Sequence, residues 1–195
     1  MRLETQRLLI REFTDEDYGP VHSYASDPAV TKYMLWGPNT GEQTEDYLRM
    51  VQEWQGQEPR TSFEFAVVLK GSGKLIGGCG IYVSEPRQGE IGYCLNPLYW
   101  KQGYASEAGQ ALLRFGFGEL GLHRIFATCR PGNAGSAKVM QKLGMTYEGL
   151  LREHKWHRET WQSSLLYAIL EDEFRSGSAD GAVHLHKPSS SIVIQ

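Results

Sequence analysis

A chain of 195 residues and 22.0 kDa, 41% hydrophobic, holds enough apolar material for one domain with a real core. Its formal net charge of -3 argues against nucleic acid as a main partner, because neutralising phosphates takes a basic surplus. No run approaches a membrane span, the first seven residues are too polar for a signal peptide, and Cys79, Cys94 and Cys129 form no C-x-x-C pair, so a cytoplasmic, reduced setting with no membrane partner is expected.

Residues 6–12 read as a strand. Thr14-Asp15-Glu16-Asp17 offers a cap and an acidic first turn, so a helix should run to about Ser26. Asp27-Pro28 opens a short helix that stops near Trp36-Gly37-Pro38. Thr40 to Gln55 is helical in pattern, with Tyr47, Leu48, Val51 and Trp54 on one stripe. Phe63–Leu69 and Lys74–Val83 are strands joined by a Gly71-Ser72-Gly73 turn, and Glu90–Leu95 is the next strand. A helix at 103–120, a strand at 123–130, a helix at 134–143 and strands near 145–156 and 161–171 complete the order. That order predicts an α/β fold, a mixed sheet flanked by helices. The domain is expected to span 1–172, with a tail at 173–195. Within the tail, Ser191-Ile192-Val193-Ile194 is β-prone and could extend a sheet edge, and His184-Leu185-His186 lacks further metal ligands, so no metal is expected.

The richest stretch is Asn96-Pro97-Leu98-Tyr99-Trp100-Lys101-Gln102-Gly103-Tyr104-Ala105-Ser106-Glu107-Ala108. A strand feeds into it and a helix leaves it. A helix start presents N–H groups without internal partners, and their partial charge favours an anion. Gly103 lets that backbone approach a ligand closely and Ala105 adds little bulk, so the loop reads as a diphosphate cradle made of main chain. It is not a dinucleotide fingerprint, which needs three spaced glycines. Nor is it a P-loop, since Gly73-Lys74 is followed by Leu75.

Trp100-Lys101-Gln102-Gly103-Tyr104-Ala105 resembles the Gln/Arg-x-x-Gly-x-Gly/Ala loop of the GNAT superfamily of acetyl-CoA-dependent N-acetyltransferases, with Trp at the first position as a departure. Tyr99-Trp100 through Gly103-Tyr104-Ala105, Glu107 and Ala108 looks like the branch that acetylates N-termini of ribosomal proteins. Asn133-Ala134-Gly135-Ser136, followed by Lys142-Leu143-Gly144-Met145, resembles the family's second signature, and Glu4–Arg11, Tyr147-Glu148-Gly149 and Ser164–Leu170 agree with the same branch. The resemblance covers about residues 1 to 172.

The resemblance implies a mostly antiparallel sheet with one splayed parallel pair, Glu90–Leu95 and His123–Arg130, holding the coenzyme arm in the gap. It implies acetyl-CoA as cosubstrate, bound by Leu95, Lys101, Gln102, Gly103, Tyr104, Ala105, Ser106, Asn133 and Ser136. A bulge before the loop would free the Leu95 N–H for the thioester oxygen. Many relatives carry a tyrosine acid seven residues after the Asn; here that position is Met140, so Ser136 is the candidate donor to the thiolate, with a helix-start or coenzyme contact as its other reading. Glu90, Glu148 and Glu153 are the carboxylates open as base, with Glu153 favoured and a solvent relay as the rival. Tyr33, Trp36, Trp156 and Trp161 fall in segments that by resemblance flank the acceptor cleft, and Glu90 is expected on the same substrate side. The acceptor is a primary amine, that of a protein or peptide N-terminus; a small amine such as an amino acid, polyamine or antibiotic is the alternative, and a non-catalytic acetyl-CoA-binding module is a third reading. The sequence leaves a homodimer open.

Overall fold

The computed structural model describes residues 1–178. Eight strands form one sheet in the order β1-β2-β3-β4-β5-β6-β8-β7. They are β1 (Arg2–Glu4), β2 (Leu8–Glu12), β3 (Ser62–Leu69), β4 (Leu75–Glu85), β5 (Gln88–Leu95), β6 (Arg124–Cys129), β7 (Thr146–His157) and β8 (Thr160–Leu170). Every neighbouring pair is antiparallel except β5 with β6. The expected mixed sheet with a single parallel pair is therefore present.

Helices α1 (Tyr18–Ala25), α2 (Pro28–Thr31) and α3 (Gly41–Gln55) precede the central strands, and α4 (Tyr104–Gly118) and α5 (Ala134–Lys142) follow β5 and β6. Alternation along each strand splits the core in two. Phe65, Val67, Ile81, Ile91 and Leu95 pack with Leu112, Phe115 and Met140 of α4 and α5. Ala66 and Val68 pack on the other side with Val21, Tyr24, Leu48 and Val51 of α1 and α3.

Local chemistry sets the helix starts. Asp27 accepts from the Ala29 amide and is followed by Pro28, Thr40 and Gln43 form a reciprocal capping box, and Asn133 accepts from the Ser136 amide. The helix expected from Thr14 begins instead as a 3-10 turn, Asp15–Asp17. There Arg11 grips Asp17 through two bonds of 2.7 Å.

Two further departures concern the ends. The first strand is a hairpin, because Thr5 turns the chain by bonding to the Leu8 carbonyl and amide. The tail expected from 173 starts as a helix, α6 (Glu171–Ser178), so the boundary at 172 falls inside it. Phe174 docks on Phe117 with ring centroids 5.1 Å apart, and the Glu171 amide bonds the His123 carbonyl. A lone aromatic in a polar stretch gave no helical stripe to read. His184, His186 and Ser191–Ile194 lie outside the described residues.

β4 approaches β5 closely at Gly77. A Cβ there would stand 2.1 Å from the Cys94 carbonyl oxygen and 2.6 Å from Leu95 Cδ2. Gly77→Ala should therefore lower unfolding stability by about 2 kcal/mol or more, measured by chemical denaturation, since packed backbone cannot yield.

Candidate active site

β5 and β6 share only three rungs, Gln88 with Arg124, Gly89 with Ile125 and Glu90 with Phe126. Beyond them β5 stays on β4 as far as Leu95, while β6 stays on β8 as far as Cys129. The sheet thus splits from Ile91 onward. The Asn96 amide bonds the Ile76 carbonyl at 2.8 Å, so the alternation of antiparallel bonding turns the main-chain groups of Ile91, Tyr93 and Leu95 toward the split. The bulge expected before the loop is absent: the register runs unbroken from Gly77–Leu95 to Val83–Gly89. No extra residue is needed, because an open strand edge already leaves alternate N–H groups unpaired. The Leu95 carbonyl is taken, accepting from Trp100 Nε1 at 2.7 Å.

The loop after β5 makes a short 3-10 turn, Pro97–Tyr99, capped by Asn96, and reaches α4 through Lys101 at φ 60° and Gly103 at φ 85°. The first helical bond runs from the Glu107 amide to the Gly103 carbonyl. Tyr104, Ala105 and Ser106 therefore keep N–H groups with no partner inside the helix, and glycine brings no side chain to cap them. The sequence missed the brace beneath this turn. Glu107 accepts from the Thr5 hydroxyl at 2.6 Å, the Arg7 amide at 2.8 Å and Arg7 Nε at 2.6 Å. Arg7 Nη1 also donates to the Gln102 carbonyl at 3.1 Å, and its guanidinium lies over the Tyr104 ring. Gln102 Nε2 is held by the Leu98 carbonyl. Lys101 extends into solvent.

On the α5 side, Asn133 acts as a helix cap, its Oδ1 accepting from the Ser136 amide at 3.1 Å. The Ser136 hydroxyl lies 3.1 Å from the Tyr93 hydroxyl, which also donates to the Ser136 carbonyl at 3.2 Å. Tyr93 reaches over from β5, so one hydrogen-bonded pair links both sides of the split. Burial raises the Tyr93 phenol and the Cys129 thiol, while contact with Ser136 opposes the rise in both. Met140 is wholly buried and serves the core.

The opposite face carries the carboxylates. Glu90 sits at the last closed rung and accepts from the Thr128 hydroxyl at 3.1 Å. His154 Nδ1 is 3.0 Å from the Ser164 hydroxyl, which also accepts from Arg130 at 2.6 Å. Burial, then Lys155 and Arg130, push the His154 pKa down against the pull of Glu90. Glu148 is engaged by Arg124 below the closed end of the split. Glu153 lies exposed where β7 breaks register, at φ 50°, with its N–H bonded to Ser163. That irregularity leaves its neighbour His154 as the more enclosed side chain. Among the aromatics, Tyr33 lies against Gly132, 3.4 Å from where a Cβ would stand, so it reaches the β6–α5 loop. Trp156 and Trp161 pair edge-on at 5.5 Å and are exposed. Arg158 from their hairpin bonds the Gly37 carbonyl at 2.8 Å, which ties it to the exposed Trp36 loop.

Reading carboxylates only near the loop overlooked Glu64 of β3. Its side chain accepts from the Tyr82 hydroxyl and stands 3.4 Å from that of Tyr47. Burial pushes its pKa up to about 7, against the lowering effect of both phenols. A charged residue inside the run Ser62-Phe63-Glu64-Phe65-Ala66-Val67 was the available signal; its neighbours across the sheet were not.

A family model described as an acetyltransferase (GNAT) domain matches residues 7–146. The chain belongs to this family and is an N-acetyltransferase of the GNAT type. It is 41% identical over 175 residues to the uncharacterized N-acetyltransferase YnaD of Bacillus subtilis, covering 89% of this chain and 99% of the relative. A crystal structure of a GNAT-family acetyltransferase from Bacillus anthracis, 39% identical, superposes with a TM-score of 0.80 over 88% of this chain and 99% of that one. The fold is shared with the RimL ribosomal L7/L12 alpha-N-protein acetyltransferase in complex with coenzyme A, at 18% identity and a TM-score of 0.78, over 89% and 99% of the two chains.

The brace under α4 carries a sign in pH. Burial alone would raise the Glu107 carboxyl; the Thr5 hydroxyl and the Arg7 amide and guanidinium outweigh it and hold it below the ordinary 4.5. A depressed folded-state value stabilises above the unfolded pKa and is lost as pH falls through the folded one. Glu107→Gln should cost about 1 kcal/mol at neutral pH, the partly exposed site being screened. In denaturation series the difference should shrink as pH drops below 4.5.

Proposed function

We propose that the chain transfers an acetyl group from acetyl-CoA to a primary amine at a protein or peptide N-terminus, in a cytoplasmic setting. The observation that carries this reading is the split between β5 and β6 beside the uncapped first turn of α4. The turn from Lys101 to Ser106 suits a diphosphate: its amides are free, and at Gly103 a Cβ would already press to 3.3 Å from Arg7. The open edge of Ile91, Tyr93 and Leu95 suits the amides of an extended arm, which can pair with it as an added strand would. In this reading the Leu95 N–H, facing the split, polarises the acetyl oxygen.

Asn133 fixes the first turn of α5 and thereby Ser136. The Tyr93–Ser136 hydroxyl pair takes the role that Met140 cannot fill. Transfer leaves a thiolate that needs a proton; Ser136 Oγ supplies a hydrogen bond and Tyr93 behind it supplies a relay. Neither hydroxyl is a strong acid, so the pair orients and conducts a proton. The exposed rim of Trp36, Trp156 and Trp161, tied together by Arg158, supports a peptide end as acceptor. A small amine is the second reading, supported by the enclosed carboxyl of Glu64 on the acceptor face.

Mass spectrometry of products from a panel of peptides with free N-termini and small amines tests the transfer and names the acceptor class. Acetyl-CoA should raise the melting temperature, since a ligand selective for the folded state stabilises it. Gly103→Val should remove most of that shift, because it fills the cradle and strains a left-handed position; equal shifts would reject the cradle.

Ser136→Ala and Tyr93→Phe should each lower kcat by about 100-fold with a small change in coenzyme affinity, as expected for a contact made mainly in the transition state. Steady-state kinetics beside calorimetric binding checks this. Unchanged kcat in Ser136→Ala would leave that hydroxyl as a contact only.

A further inference from the structure

On the face turned to α1 and α3, β3 pairs Glu64 with Gly80, and Gly80 pairs with Gly92 of β5. Two glycines in register strip the sheet of side chains between Glu64 and the split. The Glu64 side chain fills the first half of that lane: a Cβ on Gly80 would stand 2.9 Å from its Cδ. The second half is open, since a Cβ on Gly92 would meet nothing within 4 Å. Side chains wall the lane on both flanks. Two rungs away, on the same face, Tyr82 faces Glu90. Two rungs the other way Gly78 faces Cys94, with the Tyr24 hydroxyl 3.4 Å from where a Gly78 Cβ would be. Tyr47 descends from α3 onto Glu64. Among the described residues no cation pairs with Glu64, whereas Glu12, Glu107, Glu148 and Glu171 each meet an arginine. The lane therefore starts at a carboxyl that lacks a counter-ion, is ringed by phenols, and ends at the strand edge where the acetyl group would be delivered.

We propose that the acceptor amine rests on this lane above Gly92 and that the Glu64 carboxylate receives its proton. Glu64 then acts within the acetyl-transfer reading given above and adds a residue and a seat to it. An ammonium group entering the lane supplies the missing counter-ion, and the phenols favour a cation. One N–H proton passes to the Glu64 carboxylate, directly or through one water, leaving a neutral amine. Its lone pair attacks the acetyl carbonyl carbon and a C–N bond forms. The C–S bond breaks, and sulfur leaves with the electron pair. A second proton, lost from the acylated nitrogen, neutralises the thiolate through Ser136 and Tyr93, while the proton on Glu64 returns to solvent. Net, one ammonium and one thioester give one amide, one thiol and one proton. The titratable groups facing Glu64 are Tyr82 of β4, Tyr47 of α3, Tyr24 of α1 and Cys94 of β5, with Cys79 of β4 beneath it on the opposite face of the sheet. Burial raises all of them, so they stay neutral where Glu64, pushed up to about 7, titrates. Such a group is half ionised near neutrality, where a proton acceptor is most useful.

The test uses the full chain with acetyl-CoA and two probes, a short peptide with a free alanine N-terminus and spermidine, read by thiol release and product mass. Gly92→Val suits a strand and open space, so the melting temperature and its shift with coenzyme A should match wild type; the acceptor KM should rise at least about tenfold. Glu64→Gln should keep the coenzyme shift, lose about 100-fold in kcat near neutrality, and lose the acid limb near 7 that wild type shows in kcat/KM for the acceptor, the ratio that reports the unoccupied lane. Glu153→Gln should keep that limb. An unchanged acceptor KM in Gly92→Val, or a wild-type limb in Glu64→Gln, overturns the assignment while wild-type turnover leaves acetyl transfer standing. Should Glu64→Gln not fold, Gly92→Val decides. If wild type acetylates neither probe and neither probe shifts the melting of the coenzyme-bound protein, the acceptor reading falls, and the role of Glu64 with it.

Discussion

The short parallel contact between β5 and β6 is the constraint on which the site depends. Each strand is committed elsewhere: β5 to β4 along nearly its whole length, β6 to β8 along all of it. Antiparallel pairing is slightly more stable per residue than parallel pairing, and each sheet half twists about its own neighbours. Two strands that leave a common point with different partners must diverge. Three shared rungs are enough to fix the apex at Glu90 and Phe126, and the divergence exposes a row of main-chain groups inside an otherwise closed sheet. Buried main chain without a partner is costly, so an edge of this kind is a standing demand for a ligand that can pair with it.

The helices on either side then become parts of the site. α4 starts at one lip of the split and α5 at the other, because each follows directly from a diverging strand. The cradle turn offers no side-chain cap of its own, and its position is fixed from below by Thr5, Arg7 and Glu107. An amide-lined anion site needs its donors held in place in advance, since donors that must be ordered on binding lose affinity to entropy. The hairpin of β1 and β2, remote in sequence, is thus a structural part of the turn that opens α4.

The two faces of the sheet divide the chemistry. The face under α4 and α5 carries Tyr93, Ser136 and Cys129, and burial raises the Tyr93 phenol and the Cys129 thiol. The face under α1 and α3 carries Glu64 and Glu90, one enclosed by phenols and one held by Thr128. A split passing through the sheet lets a thioester bound from one side meet an amine bound from the other. Carboxylates that pair with arginine, such as Glu107 and Glu12, sit below their ordinary value, and unpaired Glu64 sits above it. Burial raises all three, and only the carboxyls with a cationic partner are brought back below the ordinary value.

The sequence by itself determined the element order, most helix starts and the uncapped turn at Gly103. These depend on local rules: Asn, Asp and Thr caps, the glycine before α4, and period-two and period-3.6 apolar patterns that a chain carries without its neighbours. The Gly103 loop and the Asn133–Ser136 helix start were legible for that reason, and the substitution of Met140 for an acid could be read directly. What only the tertiary structure decided lies in register and reach. The bulge proved unnecessary because the partner strand leaves. Tyr93 meets Ser136 across 43 residues of chain, and Arg7 meets Glu107 across 100. Phe174 gives α6 a docking site that a polar segment does not announce. Glu64 gains its meaning from Gly80 and Gly92, which lie opposite it only once three strands are aligned. A one-residue slip of that register would place each of those side chains on the other face. The short turns between β3, β4 and β5 and the packing of both faces fix that register together.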